Sequence, residues 1–306
     1  MSQATSNQST GILSRISEEL ADAVERVAPS VVRVNARRGP SGSGVVWSAD
    51  GLIVTADHIL EREEDITVGL ADGSEASASL VGRDPASDVA LLRIARQGLP
   101  PVARGQSPKV GQLVLAVGRP GGGGPMVSLG VISSLQRPGR GWRRGSGNFI
   151  TTDAVLYPGF SGGPLIDASG QAVGIGTSRF GQGTSVAIPM ETVAQVAQAL
   201  LSQGRMKRGY LGIASQAVAI PSGLRQRLEL QQESGLLVVG LEPDAPAEKA
   251  GVLLGDLLLA FGGEVVNETE QLLHLLSPER VGQTLTLRVV RGGVAEDVSV
   301  TIGERV

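Results

Sequence analysis

The chain of 306 residues has no cysteine and only two histidines, His58 and His274. Without cysteine there can be no disulfide bond, no iron–sulfur cluster and no catalytic thiolate. Two histidines are too few for a multi-histidine metal site within one chain. We therefore expect neither a metal ion nor a cofactor.

A strong charge and a long apolar run are also missing. The 27 basic and 30 acidic residues give a net charge of −3, which argues against a nucleic-acid partner. The basic segment at residues 137–144 is interpreted as a solvated or regulatory loop. No stretch approaches the roughly 20 apolar residues of a membrane-spanning helix. The polar residues 1–10 lack the basic and apolar regions of a signal peptide, so we expect no membrane span and a cytoplasmic location.

Glycine, in contrast, is abundant, with 43 residues and no Gly-X-Y period. Between residues 30 and 190, short apolar runs alternate with turn residues, and no helical pattern separates them. This arrangement predicts two small antiparallel β-barrels. The predicted strands are residues 30–36, 44–47, 52–55, 66–70, 75–82, 89–94, 112–117, 127–133, 149–152, 163–166, 172–177 and 185–189.

The periodicity outside this region predicts helices and a second domain. Apolar residues recur at helical spacing over residues 12–27 and 191–203, and the apolar stripe of the first helix is a candidate contact between copies of the chain. We place an N-terminal segment at 1–29, the barrel domain at 30–203, a linker at 204–208 and a mixed α+β domain at 209–304. The predicted elements of the last domain are strands 236–241, 257–261 and 284–291 and helices 247–250 and 268–276.

Three residues of the barrel region form a candidate catalytic set. Ser161 is flanked by Gly159 and Gly162, so neighbouring main-chain N–H groups can stabilise a developing negative charge. A serine nucleophile needs a base, and His58 is the only histidine in this region. Asp88 precedes an apolar strand and can orient the imidazole. Each residue alone is usually structural, but the order His, Asp, Ser is that of two-barrel serine proteases.

Six segments resemble the HtrA/Deg family of trypsin-like serine proteases. They are Ser41-Gly-Ser-Gly-Val-Val, Thr55-Ala-Asp-His58, Asp84-Pro-Ala-Ser-Asp88-Val-Ala-Leu-Leu, Gly159-Phe-Ser161-Gly-Gly-Pro-Leu-Ile, Val186-Ala-Ile-Pro and Arg208-Gly-Tyr-Leu-Gly-Ile. The resemblance extends from about residue 21 to residue 303. It implies a mainly β fold with a chymotrypsin-like double six-stranded antiparallel β-barrel, followed by a small α+β PDZ domain.

The resemblance also implies roles for residues of the barrel domain. His58, Asp88 and Ser161 would form the catalytic triad, and the main-chain N–H groups of Gly159 and Ser161 the oxyanion hole. Residues that line the S1 pocket in similar proteases correspond here to Val155, Leu156 and Ala187. They carry no charge, so we expect cleavage after small or medium aliphatic residues, unless Asp153 reaches the pocket floor. The family usually has asparagine where this chain has Phe160, which could alter the loop before the nucleophile.

In the second domain, Tyr210, Leu211, Gly212 and Ile213 resemble the carboxylate-binding loop of a PDZ domain. Pro243-Asp-Ala-Pro-Ala-Glu-Lys-Ala-Gly251 and Gly255-Asp256 match its interior. Such a loop binds a peptide C-terminus through main-chain N–H groups, and an exposed strand edge pairs with the peptide.

The sequence therefore predicts an ATP-independent serine endopeptidase that cleaves unfolded or damaged polypeptides in protein quality control. Its expected partners are unfolded polypeptides and peptide C-termini, and the family resemblance implies a homotrimer formed through the N-terminal region. The alternative is a proteolytically silent peptide-binding or chaperone-like protein that keeps the protease fold.

Overall fold

The computed structural model of the protein describes residues 11–135, 149–180 and 183–305. The chain divides into two compact units, Met1–Arg205 and Met206–Val306. Two segments discussed above, residues 1–10 and the basic residues 137–144, lie outside the described residues.

The described part of the first unit consists of two α-helices and twelve strands. The helices are α1 (Ile12–Val27) and α2 (Met190–Gln203). The strands are β1 (Val31–Asn35), β2 (Gly42–Ser48), β3 (Leu52–Ala56), β4 (Ile66–Gly69), β5 (Glu75–Asp84), β6 (Val89–Ile94), β7 (Leu113–Gly118), β8 (Met126–Ser134), β9 (Ile150–Thr152), β10 (Pro164–Asp167), β11 (Ala172–Thr177) and β12 (Ser185–Pro189).

These strands close into two six-stranded antiparallel barrels, so the predicted fold of this region is confirmed. The order is β1-β2-β3-β6-β5-β4 in the first barrel and β10-β11-β12-β9-β8-β7 in the second. One cluster of buried apolar side chains draws on both barrels, and includes Val54 and Leu91 from the first and Val117 and Ile175 from the second. This shared core fixes the strand ends of the two barrels with respect to each other.

Helix α1 is buried at its C-terminal end and exposed at its N-terminal end. Ala23 and Val27 are buried in the shared core, whereas the side chains of Ile12 and Leu13 are 77% and 82% exposed. The C-terminal end of the apolar stripe therefore packs against the barrels. Only its N-terminal end is available to another molecule.

The second unit contains an open sheet. Its elements are β13 (Gly209–Tyr210), β14 (Ile213–Ala219), α3 (Ser222–Arg227), β15 (Ser234–Leu241), α4 (Pro246–Lys249), β16 (Leu257–Phe261), β17 (Glu264–Val265), α5 (Thr269–Leu275), β18 (Thr284–Arg291), β19 (Val294–Thr301) and β20 (Gly303–Glu304). The sheet order is β14-β15-β16-β18-β19, with β17 beside β16 and β13 paired separately with β20. Strand β14 therefore lies at one edge of the sheet.

Candidate active site

His58 and Asp88 meet at the end of the first barrel. His58 lies in the turn Asp57–Ile59, directly after β3, and Asp88 directly precedes the neighbouring strand β6. The ring Nδ1 lies 2.8 Å from Asp88 Oδ2, and the main-chain N–H of His58 donates to Oδ1 at 2.8 Å. A carboxylate accepts both bonds, so Nδ1 carries the ring proton and Nε2 is left as an acceptor.

The carboxylate of Asp88 is held rigidly. The residue is fully buried, and the hydroxyl of Thr177, at the end of β11, donates a further hydrogen bond to Oδ2. Its main chain has φ +61°, and its carbonyl accepts a hydrogen bond from the N–H of Asp57 at 3.1 Å. This left-handed conformation is uncommon outside glycine, although Asp and Asn adopt it more readily than other residues.

Ser161 lies in the loop between β9 and β10 of the second barrel, and the first barrel anchors that loop. The N–H of Ser43, in β2, donates to the Ser161 carbonyl at 2.9 Å. The Ser43 hydroxyl donates to the Gly159 carbonyl at 2.7 Å. These two bonds set the position of Ser161 relative to the barrel that carries His58 and Asp88.

The loop also leaves main-chain donors free. Among the described residues, no acceptor takes a hydrogen bond from the N–H of Gly159 or Ser161. Gly159 has φ +89°, and a Cβ there would overlap Pro120, so the loop requires glycine at this position. Unpaired N–H groups next to a serine hydroxyl are what an oxyanion hole needs.

A second hydroxyl lies between Ser161 and His58. Ser178 Oγ is 3.1 Å from Ser161 Oγ and 3.1 Å from His58 Nε2. The Ser178 N–H also donates to Ser161 Oγ at 3.3 Å. No direct hydrogen bond joins Ser161 Oγ to Nε2 among the bonds of the described residues. The structure thus brings the three predicted residues together with Ser178 inserted between two of them.

Two arginines surround the His58 turn. Buried Asp57 accepts a hydrogen bond from Arg83 Nε at 2.5 Å and one from Arg179 Nη1 at 3.4 Å. Arg179 Nη1 also lies 3.9 Å from Asp88 Oδ1. The hydrogen bond to Asp57 raises the pKa of Arg83, against the opposing effect of its partial burial. These contacts link the His58 turn to the end of β11.

Phe160 belongs to the apolar core of the second barrel. Its side chain is buried and packs edge-on against Tyr157, with ring centroids 5.5 Å apart. A Cβ on Gly118 would lie only 2.6 Å from the Phe160 ring. The absence of a side chain on Gly118 therefore makes room for the aromatic ring.

The three predicted S1 residues are not equivalent. Ala187 is buried and Leu156 packs against the same apolar cluster, whereas Val155 is half exposed. The Asp153 carboxylate is exposed, and its Oδ1 accepts a hydrogen bond from the Val131 N–H at 2.6 Å. One oxygen of the carboxylate that could reverse the expected specificity is therefore bonded to the main chain of β8.

The predicted carboxylate-binding loop connects β13 to β14 in the second unit. The carbonyls of Leu211 and Gly212 accept hydrogen bonds from Ala247 and Glu242, at 2.9 and 2.8 Å. Within the part of the chain that is described, their N–H groups have no acceptor. Ile213 begins the edge strand β14.

The side chains of this loop are structural. Leu211 is buried in the core of the second unit. The Tyr210 hydroxyl donates to the Glu242 carboxylate, which raises the pKa of Tyr210. It is therefore the main chain of the loop, and not its side chains, that is free to bind a ligand.

Sequence reasoning missed Thr177, Ser178 and Arg179, although it predicted the strand that ends at Thr177. The only available signal was a polar residue at the end of an apolar strand, followed by two more polar residues. A polar strand end is common, so this signal does not by itself identify a site.

Comparison with known proteins identifies both units. Residues 42–175 match the family model of the trypsin-like peptidase domain, and residues 209–302 match that of the PDZ domain. A solved structure of the HtrA-type protease AlgW with a decapeptide superposes with a TM-score of 0.81 and 31% identity, and covers 94% of this chain and 99% of that one. The chain belongs to the HtrA family of trypsin-like serine proteases.

Other similar proteins are named serine endoproteases. The serine endoprotease from Yersinia pestis has a TM-score of 0.80 and 32% identity, and covers 94% of this chain and 98% of its own. A probable periplasmic DegP-like serine endoprotease from Ectopseudomonas mendocina (strain ymp) is 39% identical over 271 residues, 86% of this chain and 56% of the relative. One from Halomonas elongata is 37% identical over 270 residues, with the same two shares. The chain thus spans a little over half the length of these curated relatives.

These findings confirm the predicted family and the predicted fold, a double barrel followed by a PDZ domain. The predicted cytoplasmic location is wrong, because the curated relatives are named periplasmic endoproteases. That prediction rested on the polarity of residues 1–10 and on the lack of a long apolar run. Among the described residues, no helix has the length and apolarity needed to cross a membrane.

Proposed function

We propose that this HtrA-family chain is a serine endopeptidase in which Ser161 is the nucleophile, His58 the general base and Asp88 the group that orients the base. The observation that carries the proposal is the 2.8 Å contact between His58 Nδ1 and Asp88, which leaves Nε2 as an acceptor on the side of Ser161. This is the tautomer that a serine hydroxyl requires of its base.

The reaction follows from this arrangement. Ser161 Oγ attacks the scissile carbonyl carbon as its proton passes to His58 Nε2. The N–H groups of Gly159 and Ser161 stabilise the negative carbonyl oxygen of the tetrahedral intermediate. The imidazolium then protonates the leaving amine, which leaves an acyl-enzyme on Ser161. Water, deprotonated by His58, hydrolyses the acyl-enzyme.

The expected substrates are unfolded or damaged polypeptides, cleaved without ATP as part of protein quality control. Leu156 and Ala187 offer an apolar surface for the residue before the scissile bond. A Lys or Arg side chain packed against these two apolar residues would lose its hydration and gain no charged partner from them. We therefore propose cleavage after small or medium aliphatic residues, in the periplasm that the relatives' names indicate.

For the PDZ domain we propose the binding of peptide C-termini. The free N–H groups of Leu211 and Gly212 would receive the terminal carboxylate, and the peptide would extend the sheet along the open edge of β14. Main-chain pairing of this kind tolerates many peptide sequences, as a quality-control protease requires.

For the assembly we propose a homotrimer that buries the exposed Ile12 and Leu13 of α1. A closed threefold ring satisfies every copy of such an interface. Light scattering should give a trimeric mass for the full chain and a lower mass after deletion of residues 1–28. A monomeric mass for both would refute the trimer and leave the catalytic proposal intact.

Digestion of casein tests the activity, with cut sites mapped by mass spectrometry. Wild type should produce fragments that end mainly in Val, Ala, Leu or Ile, and Ser161→Ala should produce none. Equal digestion by Ser161→Ala would refute the proposed nucleophile. Fragments ending mainly in Lys or Arg would refute the proposed S1 pocket.

A silent, peptide-binding protein is the second candidate, and Ser178 is the observation that favours it. With Ser178 between Ser161 and His58, the described arrangement lacks the direct bond between nucleophile and base. Wild type that binds C-terminal peptides but digests no casein would establish this alternative.

A further inference from the structure

Ser178 fixes the direction of every proton between the nucleophile and the base, an inference that rests on the proposed function. His58 Nδ1 donates to Asp88, so Nε2 can only accept. The Ser178 hydroxyl, 3.1 Å from Nε2, must therefore donate to it. Its oxygen then accepts the proton of Ser161, 3.1 Å away. The proton of Ser161 consequently points at Ser178 and not at the base.

This arrangement blocks the first step of the reaction. Attack by Ser161 requires its proton to leave for Nε2, and that acceptor is already occupied by Ser178. The N–H of Ser178 also donates to Ser161 Oγ at 3.3 Å, which engages one of the two lone pairs of the nucleophile. Ser178 thus forms hydrogen bonds to both the nucleophile Ser161 and the base His58.

The hydroxyl can move although the main chain beside it is held. Ser178 is exposed, so its side chain can rotate about χ1 into solvent. On either side the main chain is anchored, because the N–H of Arg179 donates to Thr177 Oγ1 at 3.0 Å and Thr177 itself bonds Asp88. Arg179 is tied in addition to Asp57. Rotation of one hydroxyl is therefore enough to free the base.

We propose that Ser178 is a positioning residue that acts as a latch: its hydroxyl separates Ser161 from His58 in the resting enzyme and turns away to permit their direct contact. A neutral hydrogen bond favours the closed arrangement by a factor of about two to ten, because the groups it joins can bond to water instead. Removal of the hydroxyl should accelerate acylation by about that factor.

The test compares the rates at which a fluorophosphonate probe labels Ser161 in the full-length chain. Ser178→Ala and Ser178→Gly both remove the hydroxyl and should react about two- to tenfold faster than wild type. Ser178→Thr keeps a hydroxyl at this position and should react at close to the wild-type rate. With a peptide substrate, the gain should appear in kcat, with KM unchanged, since the hydroxyl blocks chemistry and not binding.

Each outcome is decisive when the variants melt at the wild-type temperature. A slower Ser178→Ala would overturn the latch and indicate that the hydroxyl relays the proton. An unchanged rate would also overturn it. In both cases, labelling of wild type at Ser161 would leave the proposed endopeptidase standing. If neither wild type nor the Ala and Gly variants are labelled, the proposed function fails together with the latch.

Discussion

The two units of the chain build their candidate sites from different parts of the polypeptide. In the first unit the groups proposed to react are the side chains of His58, Asp88 and Ser161, and the main chain contributes only the N–H groups of Gly159 and Ser161. In the second unit it consists of main-chain groups, the free N–H groups of Leu211 and Gly212 and the edge of β14. The side chain of Leu211 is buried in the core.

The difference follows from the sheets. The barrel strands described here close on one another, which leaves no edge to pair with a ligand. Specific chemistry must then come from side chains projecting from turns. An open sheet offers unpaired main-chain groups that bind an extended peptide with little regard for its sequence. We therefore expect the first site to depend on single side-chain atoms and the second on main-chain geometry.

The largest effect should come from Asp88→Asn, which changes one atom of the first site. Asparagine accepts φ +61° readily, so the turn should keep its shape. Its amide would donate to His58 Nδ1 and place the ring proton on Nε2, which could no longer accept. We expect kcat for a peptide substrate to fall about 10⁴-fold, with little change in KM.

Folding must be checked in the same variant. A melting temperature near that of wild type, together with a loss of less than tenfold in kcat, would show that the carboxylate does not orient the base. The first site would then depend less on side-chain chemistry than we argue.

A smaller effect is expected from Asp256→Asn, which probes the second unit away from its proposed binding loop. Buried Asp256 accepts hydrogen bonds from Arg291 Nη2 at 2.7 Å and Nε at 2.9 Å, and from the Leu253 N–H at 2.8 Å. We expect a loss of about 2–3 kcal/mol in the stability of this unit, less than for a fully buried pair because Arg291 is partly exposed. Hydrogen exchange followed by mass spectrometry should be faster in peptides from residues 206–305 and unchanged in the barrels.

The same ion pair gives a pH dependence. Burial alone raises the pKa of Asp256, but the hydrogen bonds from Arg291 and Leu253 outweigh it and the net pKa is lowered. A folded-state pKa below the ordinary value of 3.8 means that the stabilisation is present above about pH 4 and is lost on further acidification. Wild type should lose protection in this unit below pH 4, and Asp256→Asn should lose less over the same range.

The smallest effect is expected from Gly212→Ala, which tests whether main-chain geometry controls the second site. Gly212 has φ +76°, and a Cβ there would overlap Ala245. The loop would have to shift, and we expect about tenfold weaker binding of a fluorescent decapeptide with a free C-terminus. Gly223→Ala is the matched control, because nothing lies within 4 Å of the added Cβ. Equal affinities for the two variants would contradict a main-chain site.

The sequence predicted the barrels more completely than the second unit. Barrel strands such as β6 and β11 are continuous apolar runs between turns, and their predicted bounds agree with the structure. Strands β14 and β19 were missed. Strand β14 has three Ala residues, which weaken its β propensity. In β19 the three Val residues favour a strand, but Glu and Asp interrupt the apolar pattern by which the barrel strands were recognised.

The candidate active site was predicted in part. His58, Asp88 and Ser161 have a recognisable order and recognisable neighbours, but Ser178 has no motif. Its contact with both Ser161 and His58 arises because β11 ends between the two turns. The position of Ser178 depends on how both barrels close, so it cannot be predicted from the local sequence.

The central claim, that Ser161 is the nucleophile, is tested most directly by locating the adduct of a fluorophosphonate probe by peptide mass spectrometry. The chain offers an internal comparison, because the hydroxyl of Ser178 lies 3.1 Å away in the same site. We predict an adduct on Ser161 in wild type, and none in Ser161→Ala or His58→Ala. An adduct on Ser178, or undiminished labelling of Ser161→Ala, would contradict the account.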